Sequence, residues 1–328
     1  MQKSFRYKKL FVTGGAGFIG TNFIKMLLDE GLCSVVCYDK LTYAANLEAL
    51  EEHKNHPNFE FIKGDVADPV AVESALIATA PDCIVNFAAE SHVDRSIENS
   101  REFIRTNVQG TATLLDATRK IFGNGIRFHQ ISTDEVYGDM PYDSECAPFC
   151  ETSPLNPSNP YAVTKASADM LVLAYARTYG MNVTVSRSCN NFGAYQHEEK
   201  LIPHSVARAV SGKDIALYGN GKNVRQWIYA PDHCRAVLEI LERGAAGQIY
   251  NIGSETLLSN LDLARIILRT LGISEDRISF VEDRPGHDRK YFINSTRLDY
   301  TVAPCPRTDF DQAIRETVLY YASCYEPR

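Results

Sequence analysis

Short apolar runs alternate with helical-period patterns along the first half of the chain, and that alternation predicts its architecture. Residues 9–13 make a short apolar run. Behind it Phe23, Ile24, Leu27 and Leu28 recur at helical spacing until Gly31, which predicts a strand followed by an amphipathic helix. Apolar runs at 34–38, 59–63 and 83–89 predict further strands, with helices at 70–78 and 102–122. The run 128–132 passes from apolar into polar residues, as a strand does when it reaches the edge of a core. A helix over 161–179 ends at Gly180, a residue suited to a helix C-terminus, and a strand at 182–187 follows. Strand and helix in regular succession indicate an α/β fold, a doubly wound parallel sheet of Rossmann type.

From Ser188 the pattern loosens. Residues 188–196 read as a binding loop and 199–203 open a helix. Residues 217–221 turn between short strands, and 232–242, 249–252 and 261–271 predict helix, strand and helix. The chain therefore divides into a domain over 1–187, to which about 222–253 return, and a smaller, interleaved α/β region that makes up most of 188–328. No linker, internal repeat or low-complexity segment separates the two.

With 328 residues, 45% of them hydrophobic, the chain can bury a large core. A net charge of −7 without a basic tract argues against nucleic acid or an anionic membrane surface as a partner. No run reaches the roughly 18 apolar residues of a membrane span, and residues 1–9 lack a signal-peptide pattern, so a cytoplasmic location is expected. The nine cysteines are an odd, scattered set. Cys33/Cys37 and Cys146/Cys150 enclose three residues, not the two usual in zinc and redox motifs, so free thiols and no metal are expected.

Two stretches carry chemistry. Gly14, Gly17 and Gly20 follow the first strand and open the first helix, where a tight turn and free helical N–H groups suit a pyrophosphate. Asp39 ends the second strand, where an acidic residue can bond a ribose diol and repel a 2′-phosphate, although Lys40 stands next to it. Asp65 either faces an adenine edge or caps the next helix. Ala88 and Ala89 are small enough for a dinucleotide to lie against them. The second stretch is 132–165. It holds Thr133, Asp134 and Glu135 at a strand end, then Pro160 at a helix start, then Tyr161 and Lys165 four apart on one helix face. A hydroxyl, two carboxylates, a phenol and an ammonium are gathered there, enough to move several protons around one substrate.

With these motifs in view, the chain resembles the extended short-chain dehydrogenase/reductase superfamily. Within it the chain is most similar to the nucleoside-diphosphate-glucose 4,6-dehydratases, the dTDP-glucose branch above all. The glycine loop and the Tyr161/Lys165 pair carry the superfamily. Sharper marks are the stretches 39–47, 86–96, 132–138, 199–203, 223–227 and 284–289. Epimerases usually lack the acidic pair, GDP-mannose dehydratases usually read Ser-Glu there, and inverting UDP-N-acetylglucosamine dehydratases Asp-Lys. This chain departs from the pattern at Ala194, usually Pro, and at Lys290, usually Arg.

The resemblance implies bound NAD and a redox-neutral loss of water across C5 and C6 of dTDP-glucose. UDP-glucose is the nearest alternative substrate, and a 4-epimerase or a silent NAD(H)-binding regulator are more distant alternatives. Tyr161 would take the C4 hydroxyl proton with Thr133 bonding the same oxygen. Glu135 would take the C5 proton, and Asp134 would protonate the departing C6 hydroxyl. A phenolate at pH 7 requires a shift of about 3 units, roughly 4 kcal/mol, which an ammonium about 4 Å away supplies at an effective dielectric near 20. Lys165 is thus sufficient in principle. The cofactor set implied is Gly14, Gly17, Phe18, Ile19, Asp39, Lys40, Thr42, Asp65, Val66, Ala88, Ala89, Ser91, Thr106, Tyr161 and Lys165. The substrate set is Ser91, His92, Asn190, Glu199, Lys200, Leu201, Tyr218, Arg225, Asn260, His287 and Tyr291. The 1–187 unit would hold NAD and the 188–328 region the sugar nucleotide. A homodimer through the helices near 102–122 and 161–179 is implied too, and their small residues suit close packing.

Overall fold

The computed structural model describes residues 5–142, 147–304 and 307–325; Cys146 and Cys305 lie outside them. The first half runs β1 (Lys9–Thr13), α1 (Phe18–Asp29), β2 (Ser34–Asp39), α2 (Leu47–His53), β3 (Phe59–Lys63), α3 (Pro69–Thr79) and β4 (Cys83–Asn86). After a short α4 (Val93–Glu98), the single helix expected over 102–122 proves composite. It comprises α5 (Arg101–Phe103), a π-helical stretch Ile104–Gln109 and α6 (Gly110–Phe122). Then come β5 (Arg127–Thr133), α7 (Pro160–Tyr179), β6 (Val183–Ser188) and β7 (Asn190–Phe192). The remainder comprises α8 (Leu201–Val210), β8 (Ile215–Tyr218), β9 (Val224–Tyr229), α9 (Ala230–Arg243), β10 (Gln248–Ile252), β11 (Leu257–Ser259), α10 (Asn260–Thr270), β12 (Ile278–Val281), α11 (Thr296–Thr301) and α12 (Phe310–Tyr325).

Seven strands form one parallel sheet in the order β10-β6-β5-β4-β1-β2-β3. Side-chain alternation along each strand feeds two cores. Leu10 and Val12 of β1 pack with Phe23, Ile24 and Leu27 of α1 and with Val237, Ile240 and Leu241 of α9. Phe11, between them, faces the other way, toward Val72 and Leu76 of α3, Leu114 and Leu115 of α6 and Val172 of α7. Chain order reverses between β1 and β4. A crevice therefore opens at their carboxyl ends, where open α/β sheets bind ligands.

The second region has its own core, with Phe192, Trp227, Ile202, Val206, Leu263, Ile267, Ile314 and Val318 at its centre. Its short strands pair at long range. β9 lies between β7 and β11, while β8 pairs with β12 some sixty residues later. The turn at 217–221 thus joins strands of two different sheets. What returns to the large sheet is α9 and β10, whereas β9 stays with the smaller region. None of the helices, among the described residues, is long and apolar enough to cross a membrane. The cysteines described are free, and five of the seven are buried.

Candidate active site

The crevice at the reversal point is built by close backbone contact. Gly14 turns at φ +65°, and a Cβ there would stand 2.5 Å from the backbone nitrogen of Ala88, so no other residue fits. Helix α1 starts behind Gly17 with no side chain capping its first turn, which leaves N–H groups facing the crevice for an anion. Asp39 accepts hydrogen bonds from the N–H of Ala16 (3.1 Å) and of Leu41 (2.8 Å). Burial pushes its carboxyl up. Each carboxylate oxygen keeps a second acceptor site, as a ribose diol requires.

Strand β4 stops at Asn86, three residues earlier than the apolar run suggests. The Phe87 N–H still donates to the Thr13 carbonyl (3.0 Å), and farther on Asn107, in the π-helical stretch, holds the backbone at Glu90. The Asn107 side chain accepts from the Glu90 N–H (2.9 Å) and donates to the Glu90 carbonyl (3.0 Å) and the Thr164 hydroxyl (2.9 Å). A widened helical turn at a functional site is a recurrent device. Asn107 was not legible as a site residue, since a π turn leaves no mark in the hydrophobic period. Asp65 does not cap α3: Asp68 does so through the N–H groups of Val70 and Ala71. Asp65 instead accepts from the Ala67 N–H (2.9 Å) and from Arg105 (2.7 Å).

One cleft runs along this crevice. It is lined by Gly14, Gly17, Phe18, Ile19, Asp39, Lys40, Thr42, Val66, Ala88, Ala89, Ser91 and Thr106, then by Thr133, Glu135, Tyr161 and Lys165, and finally by Asn190, Glu199 and Lys200. The expected dinucleotide end and the expected reaction end are thus continuous. Helix α7 brings in the phenol and the ammonium. Asn159 caps it by accepting from the Ala162 N–H (2.9 Å), and Pro160 is its first residue. On the facing side β5 ends at Thr133, and residues 134–137 wind into a tight 3-10 turn with the Thr133 hydroxyl accepting from the Glu135 N–H (3.3 Å).

The two carboxyls there have opposite settings. Asp134 is 2% exposed, and its Oδ2 has no hydrogen-bond partner among the described residues. Burial and then the neighbouring Glu135 push its pKa well above the ordinary carboxylate range, so it holds a proton. Glu135 lines the cleft and accepts from Asn159 (3.4 Å) and from the Tyr291 hydroxyl (3.5 Å). A protonated acid beside a carboxylate base is the division that paired proton transfers need.

The expectation for Lys165 requires correction. Its Nζ donates to the Ile131 carbonyl (2.6 Å), and burial pulls the ammonium down to about 8. Burial, then Glu135 and Asp134, push the Tyr161 phenol up. Burial is the largest cause, and it works against a phenolate at Tyr161 in the chain alone.

Beyond the cleft lining stands a second group. The Arg225 guanidinium stacks 4.3 Å over the Tyr291 ring; Tyr291 donates to Asp288 (2.5 Å) as well as to Glu135. His92 faces Glu199 at 3.6 Å, and Leu201 begins α8 directly after Lys200. Tyr218 and His287 meet edge to face at 6.1 Å, and His287 pairs with Asp283 (2.7 Å). Asn260 opens α10, its N–H donating to the Asn223 carbonyl (3.0 Å). Asp65, Asp134, His92, Leu201, Tyr218, Arg225, Asn260, His287 and Tyr291 are not part of the cleft lining among the described residues. Arg284 and Asp94, absent from the expected set, join the two regions: Asp94 accepts from Arg284 (3.4 Å) and from the Tyr218 hydroxyl (3.2 Å). Arg284 Nε is buried without a partner. The 284–289 motif was the signal for it. Lys290 lies 5.5 Å from the Phe292 ring, and the Ala194 carbonyl accepts from Asn22 (3.0 Å).

The fold and the site together define a class, and comparison with known proteins agrees. A family model described as GDP-mannose 4,6-dehydratase matches residues 11–317, and the chain belongs to that family. The chain is 49% identical over 312 residues to the low-salt glycan biosynthesis protein Agl12 of Haloferax volcanii, covering 95% of this chain and 98% of that protein. It is 41% identical over 337 residues to the dTDP-glucose 4,6-dehydratase of Escherichia coli, covering 95% and 93%. Among solved structures, the dTDP-glucose 4,6-dehydratase DesIV of Streptomyces venezuelae, with NAD and TYD bound, matches with a TM-score of 0.91 and 41% identity over 96% of this chain and 97% of that one.

Proposed function

We propose that the chain is an NAD-dependent dTDP-glucose 4,6-dehydratase, a hydro-lyase yielding dTDP-4-keto-6-deoxyglucose for deoxysugar biosynthesis. The observation that carries this reading is the acidic pair, with a buried protonated Asp134 next to a cleft-lining Glu135, both beside Tyr161. An epimerase would need only the phenol and the cofactor. NAD, when bound, supplies the acceptor for the C4 hydride and later returns that hydride to C6. Gly14, the α1 N-terminus and Asp39 fit its pyrophosphate and ribose.

The chain's own groups handle the protons. Tyr161 takes the C4 hydroxyl proton, with Lys165 supplying positive charge beside it; a bound nicotinamide would add to that charge. Thr133 hydrogen-bonds the C4 oxygen. The C5 proton, acidified by the C4 ketone, passes to Glu135. Asp134 gives its proton to the C6 hydroxyl, which leaves as water. Glu135 returns its proton to C5, and the proton gained by Tyr161 passes by way of solvent to Asp134, so the cycle is redox-neutral and each residue ends in its starting state. Arg225 and Lys200 are assigned to the substrate diphosphate, which suits cationic partners, and His287 to a hydrogen bond with the sugar nucleotide.

The division of labour follows the two-part architecture, with the dinucleotide held by the 1–187 unit and by the α9 and β10 segment that returns to its sheet, and the sugar nucleotide by the rest. A homodimer through α6 and α7 is supported by exposed Val163 and Met170 on α7, and a cytoplasmic site of action is consistent with free thiols. Incubation of the protein with dTDP-glucose and, separately, UDP-glucose tests the reading by mass spectrometry. A product lighter by one water from dTDP-glucose, lost in Tyr161→Phe, supports it. An isomer of unchanged mass, or a preference for UDP-glucose, refutes it.

A further inference from the structure

The segment that leaves β2 crosses the cleft as a strap tied at both ends. At its start Leu41 is held at φ +57°, with its N–H on Asp39 and Lys40 paired with Glu90 at 3.6 Å. At its end the Asn46 N–H donates to the Ala16 carbonyl of the glycine loop (2.7 Å). Between these ties Thr42, Ala44 and Ala45 line the cleft. Tyr43 points elsewhere. Its ring lies 3.8 Å beneath the Arg95 guanidinium of α4 and meets the His197 ring edge to face at 5.4 Å. His197 belongs to the loop of the smaller region that also lines the cleft, and that loop is fastened to the first domain where Lys200 donates to the Ser91 carbonyl (2.9 Å). Three segments from both parts of the molecule thus converge on one aromatic ring, on the outer side of the cleft.

We propose that Tyr43, gripped by Arg95 and His197, is a clasp that retains the dinucleotide through successive turnovers. The inference rests on the reading of this cleft as an NAD site. A redox-neutral cycle gains nothing from cofactor exchange and loses a turnover if the reduced form escapes. For the dinucleotide to leave, the strap has to swing outward, and the Tyr43 ring has to come out from under the guanidinium and away from the imidazole. An exposed cation–π contact slows that step about two- to fivefold, and an aromatic edge-to-face contact slows it by a similar factor. Neither of these two contacts involves the phenol hydroxyl, which makes a further contact with Glu199 of the same loop, so the ring carries most of the grip and the hydroxyl adds to it.

The test is exchange of bound NAD against isotopically labelled NAD, read by mass spectrometry after rapid desalting of the purified holoprotein. Tyr43→Ala is expected to exchange about tenfold faster than the parent chain, Arg95→Ala about threefold faster, and Tyr43→Phe, which keeps the ring and loses only the hydroxyl contact, much more slowly than Tyr43→Ala. A Tyr43→Ala variant that exchanges at the parent rate, or a Tyr43→Phe variant as fast as Tyr43→Ala, overturns the clasp while leaving the NAD reading intact. A parent chain that neither carries nor takes up NAD overturns that reading, and the clasp with it.

Discussion

Asp134→Asn separates a catalytic carboxyl from a structural one, because activity and stability are expected to move in opposite directions. The side chain is 2% exposed, with one oxygen 3.3 Å from the Thr133 hydroxyl and the other without a partner among the described residues. Burial, then the charge of Glu135, raise its pKa far above the ordinary carboxylate value. In the unfolded chain it ionises near pH 4. The native state therefore holds a proton that the unfolded state has lost, and stability falls as pH rises above about 4 until the raised native value is reached. Each pH unit in that window is worth about 1.4 kcal/mol. Asn has the same shape and never ionises, so at pH 7 it removes this penalty and is expected to raise the melting temperature. The same change deletes the proton for the C6 hydroxyl, and loss of a general acid lowers kcat about 10²–10⁴-fold. Thermal melts and initial rates on the same preparations decide the matter. An Asn variant that keeps its rate, or that loses stability, refutes both the protonated state and the role.

Other predictions rest on neighbouring groups. Glu135→Gln should stop exchange of the C5 hydrogen with solvent deuterium and lower kcat about 10²–10⁴-fold, while hydride transfer from C4 to the cofactor remains visible in a single turnover. Burial pulls Lys165 down to about 8, so kcat/KM should fall as pH rises through about 8, where the ammonium that supports the Tyr161 phenolate loses its charge; a flat alkaline limb counts against that role. His129 bonds Thr184 (2.8 Å) and Ser186 (3.0 Å), and His233 bonds Asn191 (2.7 Å). Burial pushes both imidazoles down to about 3. The unfolded chain takes up these protons near pH 6.5 and the native chain does not, so between pH 6.5 and 3 each histidine should remove up to about 1.4 kcal/mol of stability per pH unit, measurable by urea titration at stepped pH.

The parallel sheet was legible in the sequence because each of its strands is an apolar run bounded by a helical pattern, and the Gly14 loop announced where the two backbones would touch. The four-residue spacing of Tyr161 and Lys165 puts both on one helix face, but only the neighbouring motifs distinguished them from an ordinary exposed pair. The smaller region was not, because β8 and β12, or β9 and β11, pair across tens of residues and no local period records the partner. The π turn over 104–109 was hidden for a different reason: Leu114, Leu115 and Thr118 keep the helical period after it, so one widened turn passes unseen, and Asn107 with it. The protonation of Asp134 and the upward shift of Tyr161 depend on burial by residues distant in sequence, and spacing cannot report burial. Asp94 and Arg284, 190 residues apart, become partners only once the two regions close on each other.

The most direct test of the account is proton NMR of dTDP-glucose incubated with the purified protein in deuterium oxide, without added NAD and beside a UDP-glucose control. A new C6 methyl signal with deuterium at C5, arising faster from dTDP-glucose, is the predicted result; it would report elimination, C5 proton exchange and a retained cofactor in one spectrum. Absence of a methyl signal from either nucleotide, persisting after NAD is supplied, would contradict the dehydratase reading.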